Sequence, residues 1–113
     1  MQVVPQKLWV WGPWALPKKA LARAGIHASD LDIVELNEAF SSQAIASMRE
    51  LGLDHAKVNI DGGAIALGHP LGATGARIVG KAASLLKHEK GKYALATQCI
   101  GGGQGIATIL EAI

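Results

Sequence analysis

The segment Gly62-Gly63-Ala64-Ile65-Ala66-Leu67-Gly68-His69-Pro70-Leu71-Gly72-Ala73-Thr74-Gly75-Ala76-Arg77 leaves the backbone few options. A glycine-rich turn delivers one histidine, then a proline, and then opens into a helix. Glycine permits positive φ and a close approach of ligand to backbone. Pro70 has φ preset for a first helical turn, where its missing N–H costs nothing. His69 is thereby expected at the mouth of a helix on a loop with little freedom, which is how a catalytic base is presented. Two other readings stand beside this one: a structural or solvated loop histidine, and a phosphate cradle at a helix N-terminus. Against the cradle, no Lys-Ser/Thr follows Gly68, and the glycines do not fall as G-x-G-x-x-G.

Composition narrows the class. At 113 residues with 50% hydrophobic content, the chain makes one domain with a modest core. Eleven Lys and Arg against nine Asp and Glu leave a net charge of +2, which gives no footprint for nucleic acid or an acidic membrane. The single cysteine excludes an internal disulfide and fits a reducing compartment. No apolar run approaches the ~20 residues of a bilayer span. The start lacks a basic region followed by an uninterrupted apolar segment, so no signal peptide is read. The expectation is a soluble, cytoplasmic protein.

Along the chain, residues 1–16 read as a Trp/Pro-rich connector or edge segment, and residues 17–113 as the domain proper. Trp9, Trp11 and Trp14, interrupted by Pro5, Gly12 and Pro13, suit the cover of a core or partner surface better than a ligand cage. Pro17 opens a helix to about Ala24, stopped by Gly25. Ser29-Asp30 make a turn, and Asp32–Leu36 a short buried strand. Phe40, Ala44, Met48 and Leu51 then form one helical stripe that Gly52 ends. Leu71, Gly75, Ile78, Ala82 and Leu86 form another, rich in small residues and ended by Gly91. Tyr93, Leu95, Thr97 and Cys99 alternate along a strand, a tight turn follows at 100–105, and Ile106–Ile113 is a final strand. The order predicts an α/β fold: a mixed sheet with helices packed on it and an antiparallel pair at its end.

Three residues at element ends are candidates for chemistry. Asn37 closes a strand; it also suits an N-cap, with Glu38 in the first turn after it. Cys99 closes a strand as well. A free cysteine is usually a small buried hydrophobe, yet the glycines after this one leave its sulfur approachable and aim backbone N–H groups at the same space. In open α/β sheets, ligands collect at the carboxyl ends of strands. Asn37, His69 and Cys99 could therefore share one pocket.

Taken together, Asn37-Glu38-Ala39-Phe40, Gly62–Arg77 with its Gly-His-Pro, and Cys99-Ile100-Gly101-Gly102-Gly103-Gln104-Gly105 resemble the three signature blocks of the C-terminal half of thiolases. These are the acetyl-CoA acetyltransferases and 3-ketoacyl-CoA thiolases. The resemblance runs in register from about Pro17, or Gly12, to Ile113. It implies a thiolase-like layered fold, incomplete relative to the family domain. It also implies reversible thioester Claisen condensation or 3-ketoacyl-CoA thiolysis, with coenzyme A thioesters as substrates and no cofactor or metal.

The resemblance assigns roles as well. His69 helps activate a nucleophilic cysteine and donates to a thioester oxygen. Asn37 holds a water that completes that oxyanion site, as donors aimed at developing charge should. Cys99 moves a proton on or off the α-carbon of the second acyl group, and the N–H of Gly101 serves the other oxyanion hole. Ala39 and Phe40 line the pantetheine channel, with Gly68 also on the substrate.

The pattern departs from the family in three respects. The acylated cysteine belongs to the N-terminal half, and the one cysteine here sits in the acid/base context. Where the family usually has Gly-Pro-Val-Pro, this chain has Gly12-Pro13-Trp14-Ala15. The first strands of the half-domain are missing or replaced by the Trp-rich segment. Without a nucleophile, ping-pong transfer does not begin, so the expectation is an inactive chain that works with an N-terminal half or subunit. A half-enzyme is also expected to expose an apolar face and to self-associate. The alternative is a non-catalytic, thiolase-derived acyl-CoA-binding or scaffold module, and an unrelated nucleotide-binding α/β domain is a third reading.

Overall fold

In the computed structural model, residues 15–101 and 104–113 are described. Residues 1–14, which carry the three tryptophans, lie outside them. The elements run α1 (Ala15–Ala24), β1 (Ile33–Leu36), α2 (Ser41–Leu51), α3 (Ala64–Leu67), α4 (Thr74–His88), β2 (Tyr93–Ile100) and β3 (Gln104–Glu111), with 3-10 turns at Ala28–Asp30 and His55–Lys57. The strands form one sheet in the order β1-β2-β3. β1 and β2 are parallel, with Ile33 opposite Ala94 and Leu36 opposite Thr97. β2 and β3 form the expected antiparallel pair, from Tyr93 opposite Glu111 to Ile100 opposite Gln104. A parallel bridge from Val34 to Val58 extends the sheet at its β1 edge.

All four residues of β1 are buried because helices cover both faces of the sheet. Val34, Leu36 and Leu95 pack with Leu21 of α1 and Ala44 of α2. Ile33, Ala94 and Ala96 pack with Ile78, Ala82, Leu85 and Leu86 of α4. The small residues explain how closely α4 lies: Ala82 and Ala94 are fully buried. A Cβ at Gly75 would come within 3.2 Å of the Gln98 Nε2. Asp32 fastens the start of the parallel pair, its carboxylate accepting from the N–H groups of Lys92 (2.6 Å) and Tyr93 (3.1 Å). Among the described residues, no helix is long and apolar enough to cross a membrane.

Besides α1, which starts at Ala15 rather than Pro17, and β3, which spans Gln104–Glu111 rather than 106–113, four further departures from the sequence expectation stand out. First, α2 begins at Ser41 with Phe40 in the N-cap position, so Asn37 does not cap it and Glu38 lies outside its first turn. Phe40, expected in the apolar stripe, is 53% exposed. Second, the glycine-rich segment contains a helical turn of its own, α3, whose four residues are too few to show a period. Third, α4 starts at Thr74, not Pro70. The Pro70 carbonyl instead closes a separate turn by accepting from the N–H groups of Ala73 and Thr74, both at 2.9 Å. That turn interrupts the 3.6-residue period and leaves Leu71 85% exposed. Fourth, α4 ends at His88, and Lys90 rather than Gly91 takes positive φ (54°). Gly91 is needed for space, since a Cβ there would lie 2.8 Å from that of Asp32.

Candidate active site

Parallel pairing brings the carboxyl ends of β1 and β2 to one edge of the sheet. Asn37, just past β1, donates its backbone N–H to the Thr97 carbonyl at 2.9 Å, and Cys99 lies two residues further along β2. The α3–α4 connection then carries His69 to the same edge. A pocket of about 530 Å³ opens there, lined by Ala39, Phe40, His69, Leu71, Gln98, Cys99, Ile100 and Gly101. Of the residues singled out in the sequence, it therefore collects His69, Cys99, Gly101, Ala39 and Phe40.

Asn37 and Gly68 do not line it. Asn37 is 1% exposed, and neither its carboxamide oxygen nor its nitrogen has a hydrogen-bond partner. Buried amides are nearly always paired, so this group has unused capacity to donate and accept. Gly68 is exposed, and its φ of 90° turns the chain from α3 toward His69. A Cβ there would meet nothing within 4 Å, so the demand is on conformation rather than space.

His69 is half-buried, and its Nδ1 lies 2.7 Å from the Thr74 hydroxyl. That hydroxyl donates to the Pro70 carbonyl at 3.0 Å. With its hydrogen so placed, the hydroxyl accepts from Nδ1–H, which leaves Nε2 as the basic nitrogen. Burial pushes the Cys99 thiol above its ordinary range, against a smaller lowering by a backbone hydrogen bond. Cys99 is thus a protonated thiol at neutral pH, suited to giving up and taking back a proton.

Beneath the site, on the α4 side of β1, lies Glu35. Its carboxyl is pushed up to about 7 by burial, with Arg77 and Lys81 of α4 opposing the rise. Among the described residues, no group of three or more His, Cys, Asp or Glu is arranged to hold a metal ion.

Leu71, Gln98 and Ile100 also line the pocket and were not singled out in the sequence. By spacing Leu71 belongs to the apolar stripe of α4, yet it lines the pocket. Gln98 and Ile100 flank Cys99 on β2, and the strand end alone could have pointed to them.

The profile of the thiolase C-terminal domain matches residues 1–112. The chain belongs to the thiolase family. It is 59% identical over 102 residues to a beta-ketothiolase of Cupriavidus necator, covering 90% of this chain and 26% of that relative. It is 52% identical over 106 residues to a 3-ketoacyl-CoA thiolase of Shewanella oneidensis, covering 91% and 27%. Human mitochondrial 3-ketoacyl-CoA thiolase in complex with CoA superposes with a TM-score of 0.92 at 46% identity, covering all of this chain and 28% of that one. The layered α/β fold is thus a thiolase fold, and the chain spans about a quarter of the length of these thiolases.

Proposed function

We propose that this chain is the C-terminal part of an acyl-CoA acyltransferase that catalyses reversible thioester Claisen condensation and 3-ketoacyl-CoA thiolysis. The observation that carries the reading is the shared pocket: a histidine with Nε2 free and a protonated cysteine face one mostly apolar cleft at the strand ends. In this reading Phe40, Ala39 and Leu71 receive the pantetheine and acyl portions of a coenzyme A thioester. His69 Nε2 takes the thiol proton of a cysteine supplied by the N-terminal part. The developing oxyanion is met by His69 and by a water held on the unpaired Asn37 carboxamide, preorganised donors of the kind that lower such barriers. Cys99 supplies the proton to the α-carbon when the carbon–carbon bond breaks, and removes it in the reverse direction. The Gly101 N–H serves the second oxyanion.

This chain brings the acid/base groups and not the nucleophile, because its one cysteine is Cys99. The partner this reading calls for is the N-terminal part of a thiolase, and the exposed Ile65 and Leu67, with the pocket-lining Leu71, are apolar surface it would cover. Left uncovered, the same surface drives self-association.

The test is a titration of the chain with acetoacetyl-CoA, followed by NMR, alongside a thiolysis assay. The reading expects shifts at His69, Phe40 and Cys99 with no turnover by the chain alone. Protein-dependent turnover by the pure chain, or shifts confined to other surfaces, would overturn it.

A further inference from the structure

Glu38 follows Asn37 directly, and its carboxylate is turned to the Gly62–Pro70 loop. Glu38 Oε1 accepts from the Asn59 side-chain nitrogen at 3.1 Å, and Oε2 accepts from the Ile65 backbone N–H at 2.9 Å. The Ile65 N–H is one of the donors that a helix start leaves without a partner, and a negative oxygen suits it.

Asn59 completes the clamp. It holds a left-handed backbone (φ 49°) and donates its own N–H to the Val34 carbonyl at 2.8 Å. Its carboxamide pairs with both polar groups of the Leu36 backbone, accepting from N–H at 2.9 Å and donating to C=O at 2.8 Å. There is no slack around these contacts. A Cβ at Gly63 would strike the Glu38 carboxyl and lie 2.6 Å from the Asn59 Nδ2.

The clamp therefore grips Leu36 and Glu38, the two neighbours of Asn37, on one side and the start of α3 on the other. From Ile65 to His69 the path is short and stiff. The N–H groups of Leu67 and Gly68 close α3 by donating to the carbonyls of Gly63 (3.0 Å) and Ala64 (2.8 Å). His69 follows, tied to Thr74 on its far side.

We propose that Glu38 is a positioning residue that, with Asn59, fixes His69 relative to Asn37 by anchoring the loop between them. Its catalytic meaning rests on the proposed thiolase role of those two residues; the geometric claim does not. Stability alone is a poor account of the contact. Ile65 is 68% exposed, so water can replace the carboxylate at its N–H, and little global stability is at stake while the aim of the loop is.

The test is NMR on the full chain, reading the His69 ring nitrogens and the Ile65 amide exchange rate in wild type, Glu38→Ala, Glu38→Gln and Asn59→Gly. Wild type is expected to hold the hydrogen on Nδ1. In Glu38→Ala and Asn59→Gly that tautomer preference should relax toward that of an exposed histidine, and Ile65 exchange should rise about tenfold. Glu38→Gln, which keeps one carbonyl acceptor, should restore part of both. Glu50→Gln, a change to a surface ion pair, should leave both readouts alone.

Glu38→Gln keeps the measurement decisive if Glu38→Ala fails to fold, because it retains the side-chain volume and one carbonyl acceptor, whereas Asn59→Gly also strips the buried Leu36 backbone of both side-chain partners. Unchanged His69 ring signals in the folded variants would overturn the proposal, as would global unfolding of both Glu38 variants. The thiolase reading fails separately, if acetoacetyl-CoA leaves the wild-type His69 signals unmoved.

Discussion

Thr74 accepts the Nδ1 hydrogen of His69 at 2.7 Å while its own hydroxyl hydrogen goes to the Pro70 carbonyl at 3.0 Å. One buried hydroxyl thus sets the tautomer of the candidate base and ties it to the first residue of α4. Thr74→Val keeps the side-chain shape and removes both bonds. Pro70 retains two backbone donors, so the expected loss of stability is about 1 kcal/mol. The larger effect is expected in the His69 ring nitrogens, whose NMR shifts should move to the average of an exchanging pair of tautomers. Unchanged shifts would remove Thr74 from the account.

Glu35 makes stability depend on pH. Its folded carboxyl titrates near 7, above the ordinary 4.5. The folded state therefore binds the proton more tightly than the unfolded state does. The stability tied to this group is full below about pH 4.5, falls as pH rises toward 7, and is gone above it. The loss is on the order of 3 kcal/mol at most. Urea unfolding of wild type and Glu35→Gln from pH 4 to 9 should show the wild type losing ground through that window. Parallel curves would show that Arg77 and Lys81 keep Glu35 ionised throughout.

Gly63 and Gly72 offer a paired steric test. Gly63→Ala puts a methyl group against Glu38 and Asn59, whereas Gly72→Ala meets nothing within 4 Å. Neither position needs positive φ. The first should cost about 1–3 kcal/mol, and the second should stay within about 0.5 kcal/mol of wild type. Thermal or urea midpoints decide it, and equal midpoints would contradict the tight fit at Gly63.

Cys99 should react slowly for a half-exposed thiol. Burial raises its thiol above the usual range, so thiolate is scarce at neutral pH. Alkylation by iodoacetamide is expected to lag behind free cysteine and to reach its pH midpoint later. A faster reaction at pH 7 would mean an activated thiolate, unsuited to the proton-donating role.

The long elements were legible because their periods are physical. Ile78, Ala82 and Leu86 face the sheet at helical spacing, whereas β2, read as alternating, is buried continuously over 94–97 because helices cover both faces of the sheet. Asn37, His69 and Cys99 could be named because each ends or begins an element at the strand-end edge. Glu38 could not be read from its neighbours. Its partner Ile65 lies 27 residues away, and a bond across that separation leaves no local pattern. Leu71 was misplaced for the opposite reason: its spacing fits the α4 stripe, but the turn closed at Pro70 breaks the helix between them. Asn37 has a residue type that caps helices well, yet Glu38-Ala39-Phe40 run on before α2 begins, and the carboxamide is left buried.

The most direct test of the thiolase reading is the thiolysis rate of a chimera. The matching C-terminal 26% of the Cupriavidus necator beta-ketothiolase would be replaced by this chain and assayed with acetoacetyl-CoA and CoA. The account predicts turnover that falls by about 100-fold or more with His69→Ala and again with Cys99→Ala, losses typical of positioned acid/base groups. A folded chimera without turnover, or turnover indifferent to both substitutions, would contradict it.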